Sequence, residues 1–366
     1  MTKAIHADRV MIVATLLLVA MGLLMVYSTS NIIALNKYGD SYFFVKRQVT
    51  FSALGLAALF LAMRVPYTFY RRLAYPLLII ALIGLCLIFI EGIGRKVGGA
   101  RRWIDLGFMT FQPSEAAKLS VIVFLAYSLA AKEERIKEFY AGFLPNVVIP
   151  GVIIAMILME PDLGTALALS TVVIILNFTA GVRLSYLTGL CALGAVFLYF
   201  LVSNVEYMMR RILIFIDPWK DPSGSGFQMV QSFLAFGSGG IYGVGLGAGK
   251  QKLFFLPEAH TDFILSVIGE ELGLIGVGGV IVLYILFLFA GTKIALRAKD
   301  LYGTYLALGL TFMVVLQAAL NMAVVLGVLP PKGLPLPFIS YGGSSLLINM
   351  VSAGILLNIY IKSNEV

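Results

Sequence analysis

Residues 252–290 read KLFFLPEAHTDFILSVIGEELGLIGVGGVIVLYILFLFA. From Phe263 the stretch is apolar and longer than the roughly 20 residues that cross a ~30 Å hydrocarbon core. It nevertheless carries Glu270 and Glu271 with it. A carboxylate at such depth costs roughly 2.5–3.5 kcal/mol on insertion scales, so it marks function or a paired partner. Just ahead, PEAHTD gathers a Pro, a Glu, a His and an Asp at one water–lipid boundary. Positions 262, 266 and 270 share one helical face. They read as a polar stripe facing a cavity, with Glu270 roughly 12 Å below Asp262. Asp262 reads equally as a helix-capping acid and as a catalytic carboxylate, with Glu258 and His260 flanking it in the loop.

The rest of the chain has the same character. It is 60% hydrophobic and 13% charged, with mean hydropathy +0.95, where soluble chains sit near 45–50% apolar. The expected fold is all-α: a polytopic membrane protein of about ten transmembrane helices, forming one integral membrane domain over 1–366. The spans fall near 10–27, 48–63, 73–90, 116–131, 144–159, 164–180, 184–202, 263–290, 301–328 and 340–361. The first reads as a retained span, because its apolar run is too long for a signal peptide. A large ordered extracytoplasmic loop, 203–261, lies between helices 7 and 8. Cys86 and Cys191 fall inside apolar spans and build no disulfide framework. No C-x-x-C or H-E-x-x-H pattern supports a zinc site.

With ten spans both termini share one side. For cytoplasmic termini, Lys and Arg divide 13 to 13, with Lys118 inside a span; setting aside the long 203–261 segment leaves 13 against 8, the expected positive-inside bias. The cations left at the outer boundary are Arg47, Arg101 and Arg102 beside Trp103, and Lys118. Singly, each reads as a side chain snorkelling to headgroups. Together they suit an anionic ligand such as a lipid-linked phosphate or diphosphate. Glu115 and Lys118, three residues apart, read as a local ion pair or as a charge offered to that ligand. Glu160 and Asp162 bracket Pro161 in a tight turn, better read as a helix cap than as a cation site. The glycine run FGSGGIYGVGLGAGK (236–250) fails both nucleotide patterns, because Val244, Gln251 and Ala248 stand where Gly, Ser or Thr, and Gly are needed. It reads instead as backbone packed closely over a membrane cleft, with no nucleotide cofactor. In VLPPKGLPLPFISYGGSS (328–345) the prolines exclude helix, and irregular backbone at membrane depth belongs where it is buried in protein or lines a cavity.

Several blocks, FFVKRQ (43–48), GGARRWIDLG (98–107), FQPSEAAKL (111–119), EPDLGTA (160–166), DPSGSGFQMVQS (221–232), LPEAHTDFILSVIGEELG (256–273) and GLPLPFISYGGSS (333–345), resemble the SEDS family of bacterial shape, elongation, division and sporulation proteins. The resemblance runs nearly the whole chain, and QKLFFLPEAHTDF is closer to the division branch than to the elongation branch. It implies a ten-helix peptidoglycan glycosyltransferase of the cytoplasmic (inner) membrane, acting on lipid II at the division septum. Asp262 matches the family's essential extracytoplasmic Asp, the proposed general base. Arg47, Arg101, Arg102 and Lys118 fall in matching blocks and would meet the diphosphate of the leaving undecaprenyl group, with a divalent cation (Mg or Mn) in the same role. Trp103, Glu115, Glu258 and His260 complete the expected substrate contacts. The implied partners are undecaprenyl-linked glycan, a class B penicillin-binding protein that cross-links, and other divisome or elongasome membrane proteins; nucleic acid is not among them. The competing readings are a lipid II flippase or transporter and an elongation-type polymerase.

Overall fold

A computed structural model describes residues 7–97, 100–105, 107, 110–253 and 255–365. The helices α1 (Ala7–Tyr38) and α2 (Phe43–Arg64) are followed by the short α3 (Tyr67–Arg72) and α4 (Ala74–Leu87). A small sheet of β1 (Gly94–Val97), β2 (Ala100–Asp105) and β3 (Thr110–Phe111) leads into α5 (Pro113–Ala131). Then come α6 (Leu144–Met159), α7 (Leu163–Thr179), α8 (Leu184–Asn204), α9 (Glu206–Ile216) and α10 (Phe227–Gly239). The chain finishes with α11 (Ile264–Leu296), α12 (Leu301–Val325) and α13 (Gly343–Asn364).

Among the described residues, eight helices are long and apolar enough to cross a membrane: α1, α2, α5, α6 with its lead-in from Phe139, α8, α11, α12 and α13. Two shorter apolar helices, α4 and α7, occupy the places where the sequence predicts its third and sixth spans. The 203–261 segment contains the helices α9 and α10. The expectation of an all-helical chain is amended at one place. The three strands form an antiparallel sheet in the order β1-β2-β3, where Val97, Trp103, Ile104, Thr110 and Phe111 favour extended backbone over helix.

Local chemistry sets the boundaries. α2 stops before Pro66, whose ring pushes Val65 to extended backbone (φ −77°, ψ 121°). α5 begins on Pro113, which suits the first helical position. Asp162 caps α7 by accepting from the Thr165 backbone N–H, so the 160–162 turn is the helix cap that the sequence suggests. In the core α13 lies along α2, α11 between α1 and α12, and α12 on α5.

α11 is broken within. Gly273 takes φ 65°, ψ −162°, a conformation that costs glycine little. The backbone groups freed by the break are taken up by the glycine run. Val244 and Gly245 N–H donate to the Glu270 and Glu271 carbonyls at 2.9 and 3.0 Å. In return, Leu274 and Ile275 N–H donate to the carbonyls of Gly240 and Ile241. A Cβ on Gly243 would collide with the backbone of Glu271 and Gly273, and one on Gly273 with that of Ile241 and Gly243. The glycines are therefore a packing device that satisfies a helix interrupted at membrane depth.

Candidate active site

Asp262 sits in a turn just ahead of α11, and the backbone there is pinned residue by residue. Tyr341 N–H donates to the His260 carbonyl at 3.0 Å. The Ser340 hydroxyl donates to the Thr261 carbonyl at 2.6 Å, and Asn321 Nδ2 donates to the Asp262 carbonyl at 2.8 Å. The same Asn321 nitrogen reaches the Leu334 carbonyl at 2.6 Å. Leu336 N–H donates to Ser340 Oγ. Two irregular segments, the PEAHTD turn and the proline loop, are thus sewn together over the end of α12. Prolines suit the second segment because their missing N–H groups leave carbonyls free to accept from outside. Gln317 takes that of Pro335 at 3.0 Å and Arg211 that of Pro331 at 2.8 Å.

The Asp262 side chain is treated differently from its backbone. α11 starts without a side-chain cap, and no hydrogen bond reaches this carboxylate among the described residues. It is half-buried. Burial, Glu258 and Asp162 push its carboxyl up to about 7, against the pull of Arg102 and Arg211. A Cβ on Gly333 would stand 3.0 Å from Asp262 Oδ2 and 3.9 Å from Arg102 Nη1. Gly333 is therefore where the acid and the guanidinium converge, and its missing side chain keeps that spot open.

Arg102 reaches this spot through a register irregularity. On β1 the neighbours Arg95 and Lys96 oppose Trp103 and Arg101 of β2, leaving Arg102 as the extra residue. Bulges of this kind re-aim a side chain. Here the guanidinium turns to the carbonyls of Glu160 (2.9 Å) and Pro161 (2.5 Å). Glu160 beneath it is buried with both carboxylate oxygens unpartnered among the described residues. Burial and the adjacent Asp162 push that carboxyl up to about 8, despite Arg102. Lys332, one residue before Gly333, is brought down to about 8 by burial and by Arg211.

The other sequence candidates divide. Glu258 has φ 53° and accepts from the Thr261 hydroxyl at 2.7 Å, locking the turn beside Asp262. His260 packs on Phe44 and Tyr341, and burial lowers its pKa. Arg47 lies over the Phe43 ring at 4.5 Å and near the Tyr341 hydroxyl. Arg101 makes an exposed 3.5 Å pair with Glu91, and Trp103 is half-buried on β2. Glu115 and Lys118 form a 2.8 Å ion pair, 2% and 4% exposed. Lys118 also donates to Gln317 at 2.6 Å, so this pair supports the proline loop from beneath. The polar stripe expected below Asp262 faces α10 and the glycine run rather than a cavity. Ser266 meets Ser232 of α10 at 2.9 Å, and Glu270 accepts from the backbone of Lys250 at 2.7 Å.

Sequence reasoning did not single out Arg211, Lys332, Asn321 or Ser340. Lys332 and Ser340 lie in the proline loop and Asn321 a few residues before it, but nothing in the sequence pointed to Arg211. The divalent cation expected above finds no ready-made seat. Among the described residues no three of His, Cys, Asp and Glu converge, and the carboxylates of Asp162 and Glu258 are engaged by Thr165 and Thr261.

The cell cycle protein family that groups FtsW, RodA and SpoVE matches residues 8–365. The chain belongs to that family. Within it, the chain is 49% identical over 352 residues to the probable peptidoglycan glycosyltransferase FtsW of Geobacter metallireducens, covering 96% of this chain and 94% of the relative. It is 42% identical to the stage V sporulation protein E of Bacillus subtilis, covering 98% of each. Among solved structures, one chain of a peptidoglycan synthase complex, studied for how polymerization and crosslinking are coordinated, aligns with TM-score 0.79 and 31% identity over 97% of this chain and 98% of that one. The rod shape determining protein RodA of Thermus thermophilus aligns with TM-score 0.68 and 27% identity over 97% of each.

Proposed function

We propose that the chain is a peptidoglycan glycosyltransferase that polymerises lipid II at the outer face of the bacterial cytoplasmic membrane during division. One observation carries this reading: an open carboxylate, with pKa near 7, is fixed beside a guanidinium at the mouth of the bundle. The acceptor's GlcNAc 4-hydroxyl attacks C1 of the MurNAc at the reducing end of the growing glycan. The O4–C1 bond forms, the bond from C1 to the diphosphate oxygen breaks, and configuration inverts. Asp262 takes the hydroxyl proton, a contribution typically worth 10²–10⁴-fold. Undecaprenyl diphosphate leaves with the bonding pair. Arg102 and Arg211, both close enough to favour ionised Asp262, supply positive charge for that leaving group, preorganised by carbonyls of the chain itself. The family's solved peptidoglycan synthase complex supports a crosslinking partner, which we infer to be a class B penicillin-binding protein. The termini then lie in the cytoplasm and Asp262 faces outward.

The test is polymerisation of lipid II by the purified chain with its partner. Asp262→Asn and Asp262→Ala are expected to lose 10²–10⁴-fold in rate while remaining folded, with melting midpoints no lower than wild type for Asp262→Asn. Wild-type-like polymer from both variants would remove Asp262 from the chemistry. Transbilayer movement of lipid II without polymer, unaffected by either change, would favour the flippase reading.

A further inference from the structure

The opposite end of the bundle holds a pocket, which the polymerase reading leaves unused. α2 begins beside the active site, where Phe44 packs on His260 at 4.8 Å. Its 22 residues climb about 33 Å before the chain turns at Pro66. Around that turn lies a cavity of about 870 Å³, lined by residues including Pro66, Phe69, Arg71, Arg72, Tyr75 and Tyr127.

The turn that carries the pocket's lining is rigidly held. Tyr67 N–H donates to Asn358 Oδ1 at 2.8 Å, and Asn358 Nδ2 donates to the Met63 carbonyl at 2.7 Å. The side chain of Asn358 thus replaces the helical bonds broken at Pro66, and Tyr67 Oη is held on Asp300 at 3.1 Å. One wall is aromatic: Tyr75 packs edge-on against Tyr127 and Phe124, while Phe69 and Tyr75 remain about half exposed. Arg71 and Arg72 are exposed at the rim, and neither makes an ion pair or hydrogen bond among the described residues. Rings at headgroup depth beside free guanidinium groups fit a phosphodiester carrying two acyl tails, and the volume admits a headgroup with its glycerol.

We propose that this pocket is a binding site for an anionic phospholipid of the leaflet opposite the active site. The phosphate lies between Arg71 and Arg72, the glycerol rests on Phe69 and Tyr75, and the tails run down the outer face of α4.

Native mass spectrometry of the full chain, titrated with cardiolipin, phosphatidylglycerol, phosphatidylcholine or inorganic phosphate, tests this. The two anionic lipids should be retained over phosphatidylcholine, and inorganic phosphate should not compete with them. Arg71→Gln with Arg72→Gln should weaken retention by about thirty-fold, the effect of two surface cations. Thr68→Trp keeps both charges, fills the cavity from its lining, and should weaken retention by at least ten-fold. Lys137→Gln with Arg297→Gln, elsewhere on the basic surface, should leave retention unchanged. Equal retention of phosphatidylcholine, displacement by inorganic phosphate, wild-type retention by Thr68→Trp, or an equal loss in the Lys137/Arg297 pair would each overturn the site.

Discussion

Two sets of carboxylates lie within ten residues of each other along the chain and have opposite fates. Glu271 is sealed. Lys252 Nζ stands 2.6 Å from it, the Ser28 hydroxyl donates to both its oxygens, and the Gly247 N–H adds a further bond at 3.0 Å. Glu270 beside it takes the N–H groups of Lys250 and Gln251. Asp262, at the mouth of the same helix, has its backbone fastened and its carboxylate left open. A buried acid with every oxygen partnered holds structure together. An acid denied partners, among other charges, keeps an altered proton affinity available for chemistry. The depth of an acid in the membrane therefore says less about its job than the number of hydrogen bonds it accepts.

The largest effect that can break this contrast is on stability. Glu271→Ala strands Lys252 in a site where the pair is 5% and 0% exposed. Breaking a buried pair by removing one partner costs about 3–5 kcal/mol. The thermal unfolding midpoint in detergent should fall sharply, and the glycine run should become protease-sensitive. The double change Glu271→Met with Lys252→Met removes both charges and should recover part of the loss. If Glu271→Ala instead kept its midpoint and lost only polymerisation, the sealed acid would belong to the reaction, and the contrast would fail.

A second comparison uses one glycine from each region. A Cβ at Gly249 would stand 2.8 Å from Glu270 Oε2 and 3.0 Å from Glu271 Oε1. Gly249→Val should therefore cost about 1–3 kcal/mol through overpacking. The atoms nearest a Cβ at Gly333 are the ends of the Asp262 and Arg102 side chains. Gly333→Val should leave the unfolding midpoint within about 0.5 kcal/mol of wild type and lower the polymerisation rate by at least about ten-fold, because it occupies the approach to the carboxylate. A stability loss at Gly333 matching that at Gly249 would mean that the space between Asp262 and Arg102 is packing and not a site.

The sequence made the membrane class legible because hydropathy over about 20 residues is a strong signal. It also singled out Asp262 as a candidate, through the placement of an acid before an apolar run, without deciding between a cap and a reactive carboxylate. It misread Glu270 because periodicity tells which residues share a face and not what covers that face. The cover is a glycine run that folds back on α11, a contact set by the break at Gly273. The sheet escaped notice because its strands are short and rich in Arg and Lys, and nothing in RRW announces that the second arginine is the bulged residue that turns inward. Arg211 and Lys332 were invisible as site residues for a similar reason: their nearness to Asp262 exists only once α9 and the proline loop meet.

The finest distinction lies in proton affinity. Asp262 accepts the acceptor's proton only when ionised, so polymerisation should fall as pH drops below about 7, close to tenfold per unit, with a limb that Asp262→Asn lacks. Arg102 lowers that pKa; Arg102→Gln should move the limb to higher pH as well as weaken diphosphate binding. Stability runs the other way. The folded value lies above the ordinary 3.8, so the fold favours the protonated acid. That favour is complete below about pH 4 and is lost as pH rises through about 7. An asparagine side chain in the same place carries no charge at any pH. Asp262→Asn should thus melt with wild type at pH 4 and a few degrees above it at pH 8, as expected for a site that keeps its carboxylate open at the expense of stability. Coincident melting curves at pH 8 would mean that Asp262 is as well satisfied as Glu271, and the difference between the two acids would vanish.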